Sequence, residues 1–204
     1  MPKKTSLAAN AISCRRGGRV LFERLSFALE PGESLLVTGP NGAGKTSLLR
    51  LIAGLLPLQA GSIEGGDASV PLPELCHYVG HLNGIKSALT LGENVSFWVD
   101  FLGGDGSGVQ SAYRMFGLAE LKDLPAGLLS AGQKRKLALL RLFAAPRPIW
   151  LLDEPSVSLD AASVKVLERM IAKHLRQGGV AAIASHTPLK MRVTRELKLG
   201  GRNR

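Results

Sequence analysis

Gly39-Pro40-Asn41-Gly42-Ala43-Gly44-Lys45-Thr46-Ser47 is the stretch that decides the fold. Its first eight residues satisfy the pattern G-x-x-x-x-G-K-[ST] in full. Ser34 to Thr38, just before it, is a short apolar strand. After it, Leu48, Leu49, Leu51 and Ile52 follow helical spacing until Gly54 and Pro57 stop the helix. Strand, glycine loop and helix in that order form the setting a phosphate-binding loop needs. The glycines let the chain curl until successive N–H groups face one anion, and the helix N-terminus adds the positive end of its dipole. Gly39 to Ser47 are therefore the expected ATP contacts. Lys45 would reach the β- and γ-phosphates, and the Thr46 hydroxyl would take Mg2+.

Further along, Ile149-Trp150-Leu151-Leu152 is an apolar run that ends in Asp153-Glu154. It reads as a buried strand with two carboxylates at its C-terminal edge, where α/β sheets bind ligands. By itself this could be a solvated acidic turn. Beside a phosphate loop it reads as a magnesium-holding Asp153 and a general base, Glu154, that polarises the attacking water. Ser130-Ala131-Gly132-Gln133 has the S-x-x-Q capping-box form and predicts a helix start.

The remaining elements are placed around these. Leu7 to Phe27 alternates about a Gly17-Gly18 turn and predicts a β-hairpin, and Pro31-Gly32 is a second turn. A strand is expected near His77–Val79. Residues 92–144 are expected to be helical with a break at Gly103–Gly108. A helix should run from about Ala161 to Gln177, closed by Gly178-Gly179. Val180 to Ala184 then forms a buried strand that delivers Ser185-His186.

Composition narrows the setting. The 204 residues suit one domain with an inserted subdomain, and at 45% hydrophobic they can bury a sizeable core. The formal net charge is +10. It is spread over Lys3-Lys4, Arg15-Arg16, Lys134-Arg135-Lys136 and the tail from Lys190, which reads as a solvated surface or a subunit resting on an anionic leaflet. Cys14 and Cys76 have no metal or CxxC spacing and read as reduced thiols. No apolar run behind Met1 suggests a signal peptide, and no stretch approaches the roughly 20 apolar residues that cross a bilayer. The chain is expected to be soluble, with any membrane role peripheral.

Taken with the phosphate loop and the Asp153-Glu154 strand end, Leu129-Ser130-Ala131-Gly132-Gln133 resembles the LSGGQ signature of ABC ATPases, with Ala131 in place of one glycine. The resemblance covers essentially the whole chain. It implies an α/β fold: a P-loop NTPase (RecA-like) core, an antiparallel β subdomain and an inserted helical subdomain. On that reading residues 1–204 are a single nucleotide-binding domain, with about 1–85 and 146–204 as core and about 86–145 as the helical subdomain. It also implies that the signature segment meets ATP held by a second subunit in a head-to-tail homodimer. Ser158-Leu159-Asp160 resembles the D-loop at that interface, and His186 the switch histidine that contacts the γ-phosphate beside the catalytic Lys45 and Glu154. Two positions depart from the family. Counting back from Glu93-Asn94, its usual glutamine is His81, an imidazole poorly suited to Mg2+. The usual adenine-stacking aromatic is replaced by Arg15-Arg16, of which Arg16 is assigned to the base.

Among small stand-alone cassettes the chain is most similar to the CcmA family. The resemblance rests on Gly80-His81, Gly84-Ile85-Lys86, Leu89-Thr90, the run from Leu129 to Lys136, and Ser185-His186-Thr187-Pro188. It implies ATP and Mg2+ as cofactors and integral membrane subunits of the CcmB and CcmC type as partners, at the cytoplasmic face of a bacterial inner membrane. It also implies ATP hydrolysis that serves haem export and release of a haem-loaded chaperone in cytochrome c maturation. The alternatives are the ATPase of another ABC exporter, or a soluble ABC protein that binds nucleic acid. The latter requires strongly salt-dependent RNA binding, and no nucleic acid partner is expected.

Overall fold

The computed structural model describes residues 5–186, 190 and 193–200. Lys3-Lys4, Thr187, Pro188 and residues 191–192 and 201–204 of the basic tail lie outside the described residues.

The chain builds two sheets. β1 (Leu7–Arg16), β2 (Arg19–Leu29) and β4 (Ala60–Gly65) form an antiparallel sheet in the order β2-β1-β4. Gly17 and Gly18 make the turn that closes the expected hairpin, which runs two residues further than its alternation suggested. The second sheet is five-stranded and parallel, in the order β5-β6-β7-β3-β8, with β3 Ser34–Thr38, β5 Cys76–Val79, β6 Ile149–Asp153, β7 Val180–Ala184 and β8 Arg195–Lys198. β4 and β8 were not foreseen. Both are short, and most of their residues are exposed or half-buried, so neither carries a strong apolar pattern.

Every residue of β6 and β7 is buried, as strands covered on both faces should be. Successive side chains serve opposite layers. Ile149, Leu151, Val180, Ala182 and Ala184 join Leu35 and Val37 in a core with the antiparallel sheet and helix α1 (Lys45–Ile52). Trp150, Leu152, Ala181 and Ile183 face a second core. That core is closed by α2 (Leu91–Leu102), α3 (Val109–Phe116), α4 (Ala131–Leu140) and α5 (Ala161–Arg176). The break at Gly103–Gly108 separates α2 from α3 as expected. Residues 117–130 are not the continuous helix that their composition suggested. They form two short 3-10 turns, with Pro125 opening the second.

Because all five strands are parallel, their C-terminal ends share one edge. β3 delivers the glycine loop there, β5 the Gly80–Asn83 loop, β6 Asp153-Glu154 and β7 Ser185-His186. The strand order puts the two carboxylates of β6 between the β5 loop and the residues that follow β7.

Candidate nucleotide site

The glycine loop is shaped by close backbone packing. Gly39 has φ 135°, and a Cβ there would lie 2.3 Å from the Leu199 carbonyl oxygen, so no other residue fits. Leu21 and Phe22 of β2 likewise crowd Gly44. Gly44 precedes α1 without a side-chain cap. The first amides of α1 thus keep the directions that suit an anion. Lys45 is buried, and its ammonium donates to the Gly39 carbonyl at 2.7 Å and to the Pro40 carbonyl at 3.1 Å. This seats the cation against its own loop, within the cup where phosphate charge would replace the carbonyl dipoles.

Thr46 Oγ1 donates to Asp153 Oδ2 at 2.8 Å, which joins the helix after β3 to the end of β6. Asp153 is 2% exposed. A magnesium ion fits this pair, since it prefers hard oxygen ligands and keeps water and phosphate as the others. Among the described residues no cluster of His, Cys, Asp and Glu would hold a metal alone. An ion at this pair would take its other ligands from phosphate and water. Tyr78 accepts from Arg50 Nε at 3.3 Å; burial first, and then the charge of nearby Asp153, raise its pKa, and the sequence did not single it out.

Glu154 follows in a left-handed conformation, φ 49°, which costs an L-residue about 1–3 kcal/mol. Three hydrogen bonds hold its backbone there. Its N–H donates to the Ala184 carbonyl at 2.8 Å, and its own carbonyl accepts from Arg135 Nη2 at 2.9 Å and from the Val157 N–H at 3.2 Å. The turn aims the carboxylate at the residues after β7. Ser185 Oγ donates to Oε2 at 3.3 Å, the His186 N–H donates at 3.1 Å and 3.2 Å, and His186 Nε2 lies 3.7 Å from Oε1. The expected base and the expected switch histidine are thus brought together from neighbouring strands.

The signature segment opens α4 as expected. Gln133 N–H donates to Ser130 Oγ at 3.2 Å, and Ser130 N–H donates to Gln133 Oε1 at 2.8 Å. The cap uses Ser130 only as an acceptor, which leaves its O–H able to donate from an exposed residue. Gly132 abuts Ser158, whose carbonyl would lie 2.9 Å from any Cβ added to that glycine. Ser158 itself has φ 66°. Asp160 Oδ1 accepts from Ser163 N–H at 2.7 Å and so caps α5, and Lys136 pairs with it at 3.2 Å. The Ser163 amide bond first, then the Ser163 hydroxyl and Lys136, pull the Asp160 pKa down to about 2. The Ser158–Asp160 loop therefore packs on the signature helix of its own chain.

His81 is exposed on the loop after β5, and Arg16 is exposed at the end of β1. Arg16 lies near Cys14, whose thiol pKa is raised by burial, an effect that the Arg16 charge partly offsets. Cys14 and Cys76 are free and buried, and burial pushes the Cys76 thiol up to about 12. The basic run Lys134-Arg135-Lys136 is not all solvated surface. Arg135 is 3% exposed and turned into the site.

Comparison with known proteins follows the same lines. The family model described as ABC transporter matches residues 22–157. A "Cytochrome c biogenesis ATP-binding export protein CcmA" of Nitrobacter winogradskyi is 51% identical over 96% of this chain and 98% of its own length. A protein of the same description from a Chelativorans species is 48% identical over 97% and 99%. Among solved structures, an ABC transporter ATP-binding protein of Pyrococcus furiosus superposes with a TM-score of 0.81 at 23% identity, covering 95% of this chain and 97% of that one. At that identity the likeness speaks for the fold alone.

Proposed function

The chain belongs to the ABC transporter family as an ATPase subunit, and from that membership we propose that it works as a head-to-tail homodimer driving membrane subunits in cytochrome c biogenesis. The observation that carries the catalytic part is the convergence at one sheet edge. Thr46 bonded to Asp153 forms one oxygen pair, and Glu154 held by Ser185 and His186 forms the other.

The chemistry then follows from where each group stands. ATP lies with its triphosphate in the Gly39–Ser47 cup, where N–H groups and Lys45 take up its charge. Mg2+, held by Thr46 and Asp153 with phosphate oxygens, would neutralise charge on the β- and γ-phosphates. Glu154 accepts the proton of the attacking water, and its strained backbone fixes the direction from which it does so. His186 stands against Glu154 and contacts the γ-phosphate. Arg16 lies along the base, and His81 serves the loop that couples the site to its membrane partner. The exposed Ser130 O–H and the amide of Gly132 are donors for the γ-phosphate held by the second copy. Each site is complete only across the dimer, and Ser158–Asp160 lines the seam. Loss of the γ-phosphate removes those cross-contacts and lets the copies separate, with the segment of about residues 86–145 moving with the partner.

The wider assignment, to subunits of the CcmB and CcmC type and to haem export with release of a haem-loaded chaperone, is supported by the near full-length likeness to the CcmA proteins. It places the chain on the cytoplasmic face of the inner membrane. No helix among the described residues is long and apolar enough to cross a membrane. Pull-down from membranes followed by mass spectrometry should recover integral membrane subunits, and deletion should abolish c-type cytochromes; normal cytochromes in the deletion strain would reject this assignment. Glu154→Gln should bind ATP with near-normal affinity, accumulate as a dimer and lose about 100-fold or more in turnover. Unchanged turnover would remove Glu154 as the base.

A further inference from the structure

Arg135 stands on α4, the helix that begins at the signature segment, and its charge is spent almost wholly on backbone carbonyls. Nη2 donates to the Asp153 carbonyl at 2.8 Å and the Glu154 carbonyl at 2.9 Å. Nε donates to the Pro155 carbonyl at 3.2 Å. Nη1 donates to the Gly80 carbonyl at 2.8 Å and to Asn83 Oδ1 at 3.1 Å. One guanidinium thus spans three places: three consecutive residues at the end of β6, the loop after β5, and the signature helix. A planar fork with fixed N–H directions can do this; an ammonium cannot.

We propose that Arg135 is a positioning residue for ATP hydrolysis, which clamps the strained Glu154 turn to the signature helix so that the base is correctly aimed only when that helix is in place. The proposal rests on the reading of Glu154 as the base and adds how its aim is set.

The geometry supports a catalytic rather than a purely structural role in two ways. The clamp grips the carbonyl of Glu154 itself, the residue held at a left-handed φ of 49°. Without Arg135 the Glu154 carbonyl would keep the Val157 N–H of its own turn, at 3.2 Å, but lose its tie to α4, which would free the carboxylate to swing away. The grip also lies on the helix that opens with Ser130 as its cap and Gly132 in its first turn, the donors proposed for the second copy. Movement of α4 when a second copy arrives is therefore passed to the Glu154 carbonyl through one side chain. Burial lowers the Arg135 pKa, while the charges of Asp153 and then Glu154 favour its ionised form. Arg147 offers a control. It donates to the Pro73 and Cys76 carbonyls at 3.0 Å and 3.1 Å, the same type of contact made away from Asp153 and Glu154.

The test is steady-state ATPase kinetics on the full chain for Arg135→Lys, Arg135→Gln and Arg147→Gln, with nucleotide affinity measured by titration and melting temperature recorded for each. Arg135→Gln should lower kcat by about ten- to a hundredfold, with KM and ATP affinity within about twofold, because misaiming a reacting group by about an ångström costs that much. Arg135→Lys should recover part of the rate. Arg147→Gln should lower the melting temperature and leave kcat unchanged. In a Glu154→Gln background, Arg135→Gln should cause little further loss, since the group it aims is gone. Equal losses in both backgrounds, or a kcat that tracks melting temperature across all three variants, would overturn the proposal. Full turnover by Glu154→Gln alone would instead defeat the base assignment. If Arg135→Gln does not fold, Asn83→Ala removes one of the two acceptors of Nη1 at a half-buried position and leaves the Gly80 carbonyl. A fall in kcat at constant KM then supports the clamp, and an unchanged kcat rejects it.

Discussion

At the scale of single residues, adjacent positions can carry opposite constraints. Ala131 stands where the ABC signature has glycine, and Gly132 keeps it. Ala131 is exposed in the first turn of α4, so its methyl meets water and favours the helix. Gly132 faces the Ser158 carbonyl, which a Cβ would approach to 2.9 Å. The substitution Ala131→Gly should therefore cost up to about 1 kcal/mol of stability and leave turnover intact. Gly132→Ala gains helix propensity but must push Ser158 aside, and overpacking of this kind typically costs about 1–3 kcal/mol. It should lower turnover as well, because the displaced loop belongs to the dimer seam. Thermal melts and ATPase rates on the two variants check this; a Gly132→Ala protein with full activity would show that the seam tolerates the shift. The same residue scale shows what could and could not be read from the chain alone. The phosphate loop and Asp153-Glu154 were legible because their residue types have few other uses in that order. Arg135 was not, because a run of three basic residues looks the same whether its middle member is solvated or buried. Tyr78 and Asn83 were missed for the same reason: each acts through a partner that is remote in sequence.

At the scale of elements, legibility followed the strength of the local signal. β3, β6 and β7 were placed within a residue of their observed ends, because buried apolar runs flanked by glycine, proline or carboxylates leave little freedom. β4 and β8 were invisible, since they are strands by virtue of the neighbours that pair with them. Residues 117–130 misled in the other direction: Leu118 and Leu129 are buried beside 3-10 turns rather than on a helix, and Leu128 is exposed. Glu93-Asn94, used only as a counting mark, turns out to have local work. Glu93 closes a capping box with Thr90, and the Asn94 side chain bonds the backbone of Lys86 and Thr90. α2 and α4 therefore begin with the same device, which separates capping from catalysis. Loss of an N-cap hydroxyl costs about 1 kcal/mol. Thr90→Ala and Ser130→Ala should both lower the urea midpoint by about that amount. Only Ser130→Ala should also depress turnover, because its O–H is proposed to reach the second copy's nucleotide, and Ser130→Thr should restore both properties. Equal turnover in Thr90→Ala and Ser130→Ala would leave Ser130 with a capping role alone.

At the scale of the whole molecule, the sheet is closed on the α5 side by groups that set its response to acid. His174 stacks on Trp150 at 4.0 Å, and its Nε2 lies 3.1 Å from the Pro148 carbonyl and 3.2 Å from that of Val180. His77, 1% exposed, sits 2.8 Å from the Ala145 carbonyl with Arg147 and Arg141 nearby. Burial is the main cause that lowers His174 from 6.5 to about 4 and His77 from 6.5 to about 3. Both are neutral in the folded chain at pH 7. As the pH falls below 6.5 the unfolded chain takes up protons that the folded chain refuses, so stability must decline with acidity. The loss begins near pH 6.5, involves both histidines down to about pH 4, and continues for His77 to about pH 3. Each contributes a slope of about 1.4 kcal/mol per pH unit while it is protonated only in the unfolded state. The carboxylates held low by hydrogen bonds, Asp105 and Asp160 below 3.8 and Glu33 and Glu93 below 4.5, act in the same direction but only below those ordinary values. The interval from pH 6.5 to 5 therefore isolates the histidines. Urea unfolding across that interval should show a falling free energy, and His174→Gln should remove about half of the slope while lowering stability at pH 7 through the lost stacking on Trp150. A slope unchanged by that substitution would mean that the acid response originates elsewhere in the molecule.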